Sequence, residues 1–256
     1  CIILLKIFPI FRKVLTLHFV LNENIVGMNR NILKSILAIA LAVSMQSAFA
    51  ADRNPAFRQA RNYYEKGMYA RARTLFSEIA DASISVRDLN RADLAEYTFK
   101  NAYSRFKTGD YDEALKGFMK VTRMNVNDYK APAAYSAGYI LYGREDFNGA
   151  IQLFTESAKD PRFADESAFY ILECRFMNKD YKYVMENGEA LYARIPEERR
   201  PHLARIISET YLVSGNTAKA KEYYDRTNIS SGNDRKDYFY AGSLLYAVQD
   251  YKGAVE

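Results

Sequence analysis

The residues able to do chemistry are few once the first fifty positions are set aside. From residue 51 onward the chain holds one histidine, His202, and one cysteine, Cys174. A metal site draws on three or four His, Cys or acidic ligands, and a thiol nucleophile needs a base that lowers its pKa. One His and one Cys supply neither set. Cys174 reads as a buried, inert thiol, and His202, following Pro201, as an exposed residue at a helix start. Asp110, Asp112 and Glu113 alternate as calcium ligands do, but they sit in a turn and read as its solvated face. The sequence contains no glycine-rich phosphate loop and no nucleophile elbow. No catalytic residue, no metal and no cofactor is expected, so the chain reads as a non-enzyme.

What these residues stand on is a repeated word. In Gly109-Asp110-Tyr111-Asp112-Glu113-Ala114-Leu115-Lys116-Gly117-Phe118, the glycine can take positive φ to close one helix. Tyr111, Ala114 and Phe118 then follow at helical spacing on one face of the next. The word returns at Gly67, Tyr69, Ala72, Phe76, at Phe147, Ala150, Phe154, at Gly215, Ala220, Tyr224, and at Tyr251, Ala254. Its small-residue slot falls at Ala72, Ala114, Ala150, Val184, Ala220 and Ala254, in steps of 42, 36, 34, 36 and 34 residues. Twelve residues before each slot stand Ala60, Ala102, Gly138, Leu172, Ser208 and Gly242, small in five of six cases. Two helices meeting at small residues in a unit of about 34 residues cannot bury their apolar faces alone, so neighbouring units must stack.

This period and these two small sites resemble the tetratricopeptide (TPR) repeat family, over roughly residues 53 to 256. The resemblance implies an all-α fold: a right-handed α-α superhelix, or solenoid, of about five and a half TPR-like helix-turn-helix units. The fourth unit departs from the pattern, with Leu172 at the small site, Val184 at the slot and Gly188 where an aromatic is expected, so its helices should pack less regularly. The first pair is expected from Asn54 to about Ala80 and the second from about Leu94 to Met124. The third is expected just after Pro132, with breaks at Pro161, Pro196 and Ser230 to Asp234.

In the resembled family the first helices of successive units line a concave face. Here the position three before the small site reads Phe57, Phe99, Tyr135, Phe169, Arg205 and Phe239, and the position four after it Tyr64, Phe106, Tyr142, Phe176, Leu212 and Tyr246. Two readings stand side by side. These rings pack helix on helix, or they line a groove that grips an extended or helical peptide. On the second reading the partner-binding residues are Phe99, Tyr103, Phe106, Tyr135, Tyr139 and Tyr142. Arg61 and Glu173 would set polarity there. The family's clamp for carboxyl-terminal peptides needs Lys and Asn on the first helices, which Phe57, Arg61, Phe99 and Tyr103 do not provide.

Ahead of the repeats, Met28 is followed by Arg30 and Lys34, an apolar core from Ile36 to Val43, and Ala48-Phe49-Ala50. This is the pattern of a secretory signal with cleavage before Ala51. Ser44, Gln46 and Ser47 interrupt the apolar run before the roughly 20 residues a spanning helix needs, so no stable membrane span is expected after cleavage. Residues 1–27 read as translated upstream sequence or, alternatively, a real extension; residues 28–50 as the signal; residues 51–256 as the solenoid, cut short at its carboxyl end. The formal charge of +5 belongs mostly to the leader, because residues 1–50 hold five of the 36 Lys and Arg and one of the 31 Asp and Glu. A near-neutral exported chain lacks the basic footprint of a nucleic-acid binder. The expectation is a non-catalytic scaffold or adaptor, periplasmic or otherwise envelope-associated, with a protein or peptide partner. The alternative is the amino-terminal recognition module of a larger envelope enzyme or glycan-handling protein, whose catalytic part lies beyond residue 256.

Overall fold

The computed structural model describes residues 55–81, 91–124, 128–227, 235–247 and Gln249. The leader, the signal, the long step between the first two pairs, the break at 230–234 and the Ala254 slot lie outside them. Eleven α-helices are described: α1 Pro55–Glu65, α2 Tyr69–Asp81, α3 Arg91–Lys107, α4 Tyr111–Thr122, α5 Lys130–Gly143, α6 Phe147–Ser157, α7 Ala164–Met177, α8 Tyr181–Arg194, α9 Arg200–Val213, α10 Thr217–Tyr224 and α11 Arg235–Ala247. A short 3-10 turn, Glu197–Arg199, leads into α9. The fold is all-α, a solenoid of TPR-like antiparallel pairs, with no strand among the described residues. The third pair begins at Lys130, two residues before Pro132. A proline in a first turn costs no hydrogen bond, because N–H groups there have no intrahelical acceptor.

Each helix packs on its predecessor and its successor, and first helices also approach the next first helix, as α1 does α3 and α7 does α9. First helices thus form an inner row and second helices an outer one. The slot residues Ala72, Ala114, Ala150, Val184 and Ala220 are all fully buried. In α4 the buried set is Ala114, Phe118 and Val121, the spacing of one helical face.

The turn inside each pair has one backbone state. Gly67, Gly109, Glu145, Lys179, Gly215 and Gln249 all have positive φ, between 61° and 83°, and the five followed by a described slot stand five residues before it. At five consecutive turns the residue after this one donates its N–H to a carbonyl five residues back: Met68 to Tyr63 (2.8 Å), Asp110 to Arg105 (2.9 Å), Asp146 to Leu141 (3.0 Å), Asp180 to Arg175 (2.8 Å) and Asn216 to Tyr211 (2.9 Å). These are Schellman closures. The carboxylates of Asp146 and Asp180 and the amide oxygen of Asn216 then cap the second helix, accepting from Gly149, Tyr183 and Lys219 N–H. Asp110 makes no such cap. It accepts instead from Arg73 and Arg105, each at 2.8 Å, and so ties the first pair to the second.

The irregular fourth pair is the most loosely apposed of the five, and a size exchange fills its interface. In the third pair the small site is Gly138, and a Cβ there would lie 3.0–3.2 Å from the ring of Phe154. In the fourth pair the equivalent positions hold Leu172 and Gly188. A Cβ on Gly188 would lie 3.7 Å from Leu172 Cδ1 and 2.9 Å from Ile207 Cγ1. The bulk has moved from the second helix to the first, and both Leu172 and Ile207 are 1% exposed. Among the described residues, the polar bonds that join pairs reach the immediate neighbour: Arg61 to Glu96 (2.8 Å), Arg144 to Asp112 (2.6 Å), Asn178 to Asn148 (3.1 Å) and Lys219 to Glu189 (2.5 Å).

Candidate partner-binding face

The first helices carry rings at several repeat positions, and the structure gives those positions different work. The position four after the small site staples the turn. Tyr64 meets Tyr69 at 5.6 Å between ring centroids, Phe106 meets Tyr111 at 5.6 Å, Tyr142 meets Phe147 at 6.0 Å and Phe176 meets Tyr181 at 6.1 Å, all edge to face. Four consecutive turns are thus clasped by rings five residues apart, a geometry aromatic quadrupoles favour. The position three before the small site goes largely inward. Phe57 and Phe169 are buried, and Phe99, 8% exposed, packs on Phe118 (5.7 Å), Tyr129 (5.2 Å) and Tyr103 (6.0 Å). Tyr135 is half-buried against Phe154, Phe163 and Tyr170, and its hydroxyl donates to Glu166 (3.3 Å). Packing accounts for these two.

Between those rows lie Tyr103 and Tyr139. Tyr103 reaches Tyr64 and Tyr69 of the first pair, each at 5.7 Å. Tyr139 bridges Phe106 of the second pair (6.1 Å) and Tyr170 of the fourth (5.7 Å), and Tyr170 meets Tyr142 at 5.4 Å. A continuous run of ring contacts therefore crosses the first four pairs. Within it Tyr139 is 42% exposed and Tyr111 is 50% exposed. Tyr111 shares the helical spacing of Ala114 and Phe118, which are buried. As the first residue of α4 it instead lies against Phe106 and keeps half of its surface open.

The polar members are engaged in joining pairs. Arg61 pairs with Glu96 and lies 4.9 Å over the Phe57 ring. Glu173 is buried and accepts from His202 Nε2 at 2.8 Å and from the Tyr142 hydroxyl. His202, read from sequence as simply exposed, therefore has a partner on the neighbouring first helix. The Lys107 ammonium sits 5.8 Å over Tyr69 and 5.9 Å over Tyr103, at the amino-terminal end of the ring run. Burial pushes the hydroxyls of Tyr64, Tyr135, Tyr142 and Tyr170 above their ordinary range and that of Tyr129 up to about 12. Tyrosines on this face are neutral donors at physiological pH.

Cys174 is fully buried, and burial pushes its thiol up to about 12. It is held protonated, which is the opposite of what a nucleophile needs. Among the described residues no group of three or more His, Cys, Asp and Glu could hold a metal ion. No helix among them is long and apolar enough to cross a membrane.

No protein-family model matches the chain, and no curated protein matches it in sequence. Solved structures do match the fold. The structure described as the functional characterization of Pseudomonas aeruginosa PilF superposes with a TM-score of 0.58 and 14% identity, over 82% of this chain and 89% of that one. MamA AMB-1 gives 0.55 and 14%, over 75% and 96%. PilW, described as a widely conserved type IV pilus biogenesis factor, gives 0.54 and 14%, over 82% and 89%. At such identities the likeness is one of fold, and it agrees with the paired-helix solenoid described above.

Proposed function

We propose that this chain is a non-catalytic scaffold of the bacterial cell envelope, belonging to the tetratricopeptide family, that holds a protein or peptide partner on the inner row of its second and third pairs. The observation that carries the reading is Tyr139. It sits midway along a run of ring contacts, yet presents over two-fifths of its surface to solvent. Tyr103 and Phe106 flank it on one side and Tyr142 on the other, with Tyr111 open beside Phe106. Exposed rings gathered in one patch mark an interaction surface, and Tyr is among the side chains on which interface energy concentrates. Arg61 and Glu173 act here by joining neighbouring first helices, Arg61 through its ion pair with Glu96 and Glu173 through its hydrogen bond with His202. The secretory pattern in residues 28–50 supports the envelope placement. That PilW, a chain of like fold, is a type IV pilus biogenesis factor supports a role in assembling other proteins.

The test compares Tyr103→Ala/Tyr139→Ala with the outer-row pair Lys116→Ala/Lys120→Ala, both checked for native helicity, in retaining cross-linked envelope partners. The inner variant is expected to lose partners that the outer variant and the wild type keep. Equal retention by a folded inner variant would overturn the assignment of this face.

A further inference from the structure

Away from the ring run of the second and third pairs, an open cleft of about 500 Å³ lies where the fourth pair meets the fifth, lined by Tyr192, Glu197, Glu198, Arg200, Pro201 and Arg226. Two guanidinium groups stand over its Tyr192 ring, that of Arg200 at 5.9 Å and that of Arg226 at 5.5 Å from the centroid. Arg226 is committed: it lies 4.5 Å over Tyr223 and donates to Glu222 at 2.6 Å. Arg200 is not. Its Nε donates to the Ile195 carbonyl at 3.3 Å, and its two terminal nitrogens have no protein acceptor among the described residues. Glu197 and Glu198, three and two residues earlier, make no ion pair among the described residues either. Opposite charges therefore line one cleft without neutralising each other.

We propose that this cleft binds a small zwitterion, a molecule the size of a free dipeptide with an ammonium at one end and a carboxylate at the other. The carboxylate lies on the open fork of Arg200, a geometry guanidinium matches with two parallel hydrogen bonds. The ammonium lies between Glu197 and Glu198, and the aliphatic body rests on Tyr192 and the Pro201 ring. A volume of about 500 Å³ is within the range of small-molecule sites, roughly 300–1,000 Å³. A ligand with one charge would satisfy one wall of the cleft and be repelled by the other.

The probe is alanyl-alanine, titrated calorimetrically into the full chain, beside N-acetyl-alanyl-alanine, which lacks the ammonium, and alanyl-alanine amide, which lacks the carboxylate. The variants are Arg200→Gln and Glu197→Gln/Glu198→Gln, with helicity checked by circular dichroism. The free dipeptide is expected to bind saturably at one site. Blocking either end, or making either variant, is expected to weaken it by at least about tenfold, as losing a charge-assisted pair does. Absence of saturable binding, binding of the acetylated form as tight as that of the free dipeptide, or binding that survives Arg200→Gln would each overturn the proposal. None of these results bears on the ring run of the second and third pairs, which shares no residue with the cleft.

Discussion

The exchange of bulk between Leu172 and Gly188 makes a quantitative prediction. Leu172→Ala removes a fully buried side chain and should destabilise by about 2–5 kcal/mol, the usual cost of such a cavity. Gly188→Ala gains about 1 kcal/mol of helix propensity. The new methyl, however, falls 2.9 Å from Ile207 Cγ1 and 3.2 Å from its Cδ1, and overpacking of that kind costs about 1–3 kcal/mol. Alone, then, Gly188→Ala should be neutral to destabilising by about 2 kcal/mol. With Leu172 already shortened, Ile207 has room to move and the methyl fills part of the void, so the second change should become favourable. The two substitutions should couple by about 1–3 kcal/mol, the range for residues sharing a cavity. Urea unfolding followed by far-ultraviolet circular dichroism measures all four corners of the cycle. Amide exchange in α7 and α8 shows whether the loss is local, since a repeat array can melt in parts. Additivity to within about 0.5 kcal/mol would refute the exchange, and with it the register placing Leu172 opposite Gly188.

Two further outcomes follow from the backbone and the tyrosines. Glu145→Gly and Lys179→Gly should each stabilise by about 0.5–1 kcal/mol, because both residues hold a left-handed conformation that glycine adopts freely; Gly109→Ala should destabilise by about 1–2 kcal/mol, and the shift in urea midpoint reads each. Alkali should weaken the array. Tyr64, Tyr129, Tyr135, Tyr142 and Tyr170 have hydroxyls raised by burial above the ordinary 10.0, so their stabilising contribution is complete below pH 10 and is lost as pH climbs, for Tyr129 through about 12. Urea midpoints should fall steadily over that window, and Tyr129→Phe should make the fall shallower; a midpoint unchanged across it would contradict the burial of these hydroxyls.

Much of the fold could be read before any coordinates, because its main constraint falls on single residues. Where two helices cross at a distance that only a small side chain permits, Ala72, Ala114, Ala150 and Ala220 must recur, and their spacing is the period. The turn was readable where it is glycine and hidden at Glu145 and Lys179. There the left-handed state is held by hydrogen bonds across the turn, and only the fixed distance to the slot reveals it. The site was less legible. Aromatic character marks a position as buried or as binding with equal force, and Phe106 and Tyr139 look alike in sequence. The signal that separates them is the second ring five residues on: Phe106 has Tyr111, whereas Tyr139 has Arg144. The bond between Glu173 and His202 joins helices of different pairs, so no local pattern announces it.

The restriction of every cross-pair bond described above to immediate neighbours has a mechanical consequence. Among the described residues the pairs are links in series, with no tie running from one end of the array to the other to share a load. Tension on the two ends would be borne in full by each junction in turn, so extensibility is set by the weakest junction and not by the mean. That places the yielding point, among the described junctions, where α10 meets α11, the most sparsely apposed of them and downstream of the exposed tyrosines. An array built this way can lengthen there while the rings of the second and third pairs keep their spacing.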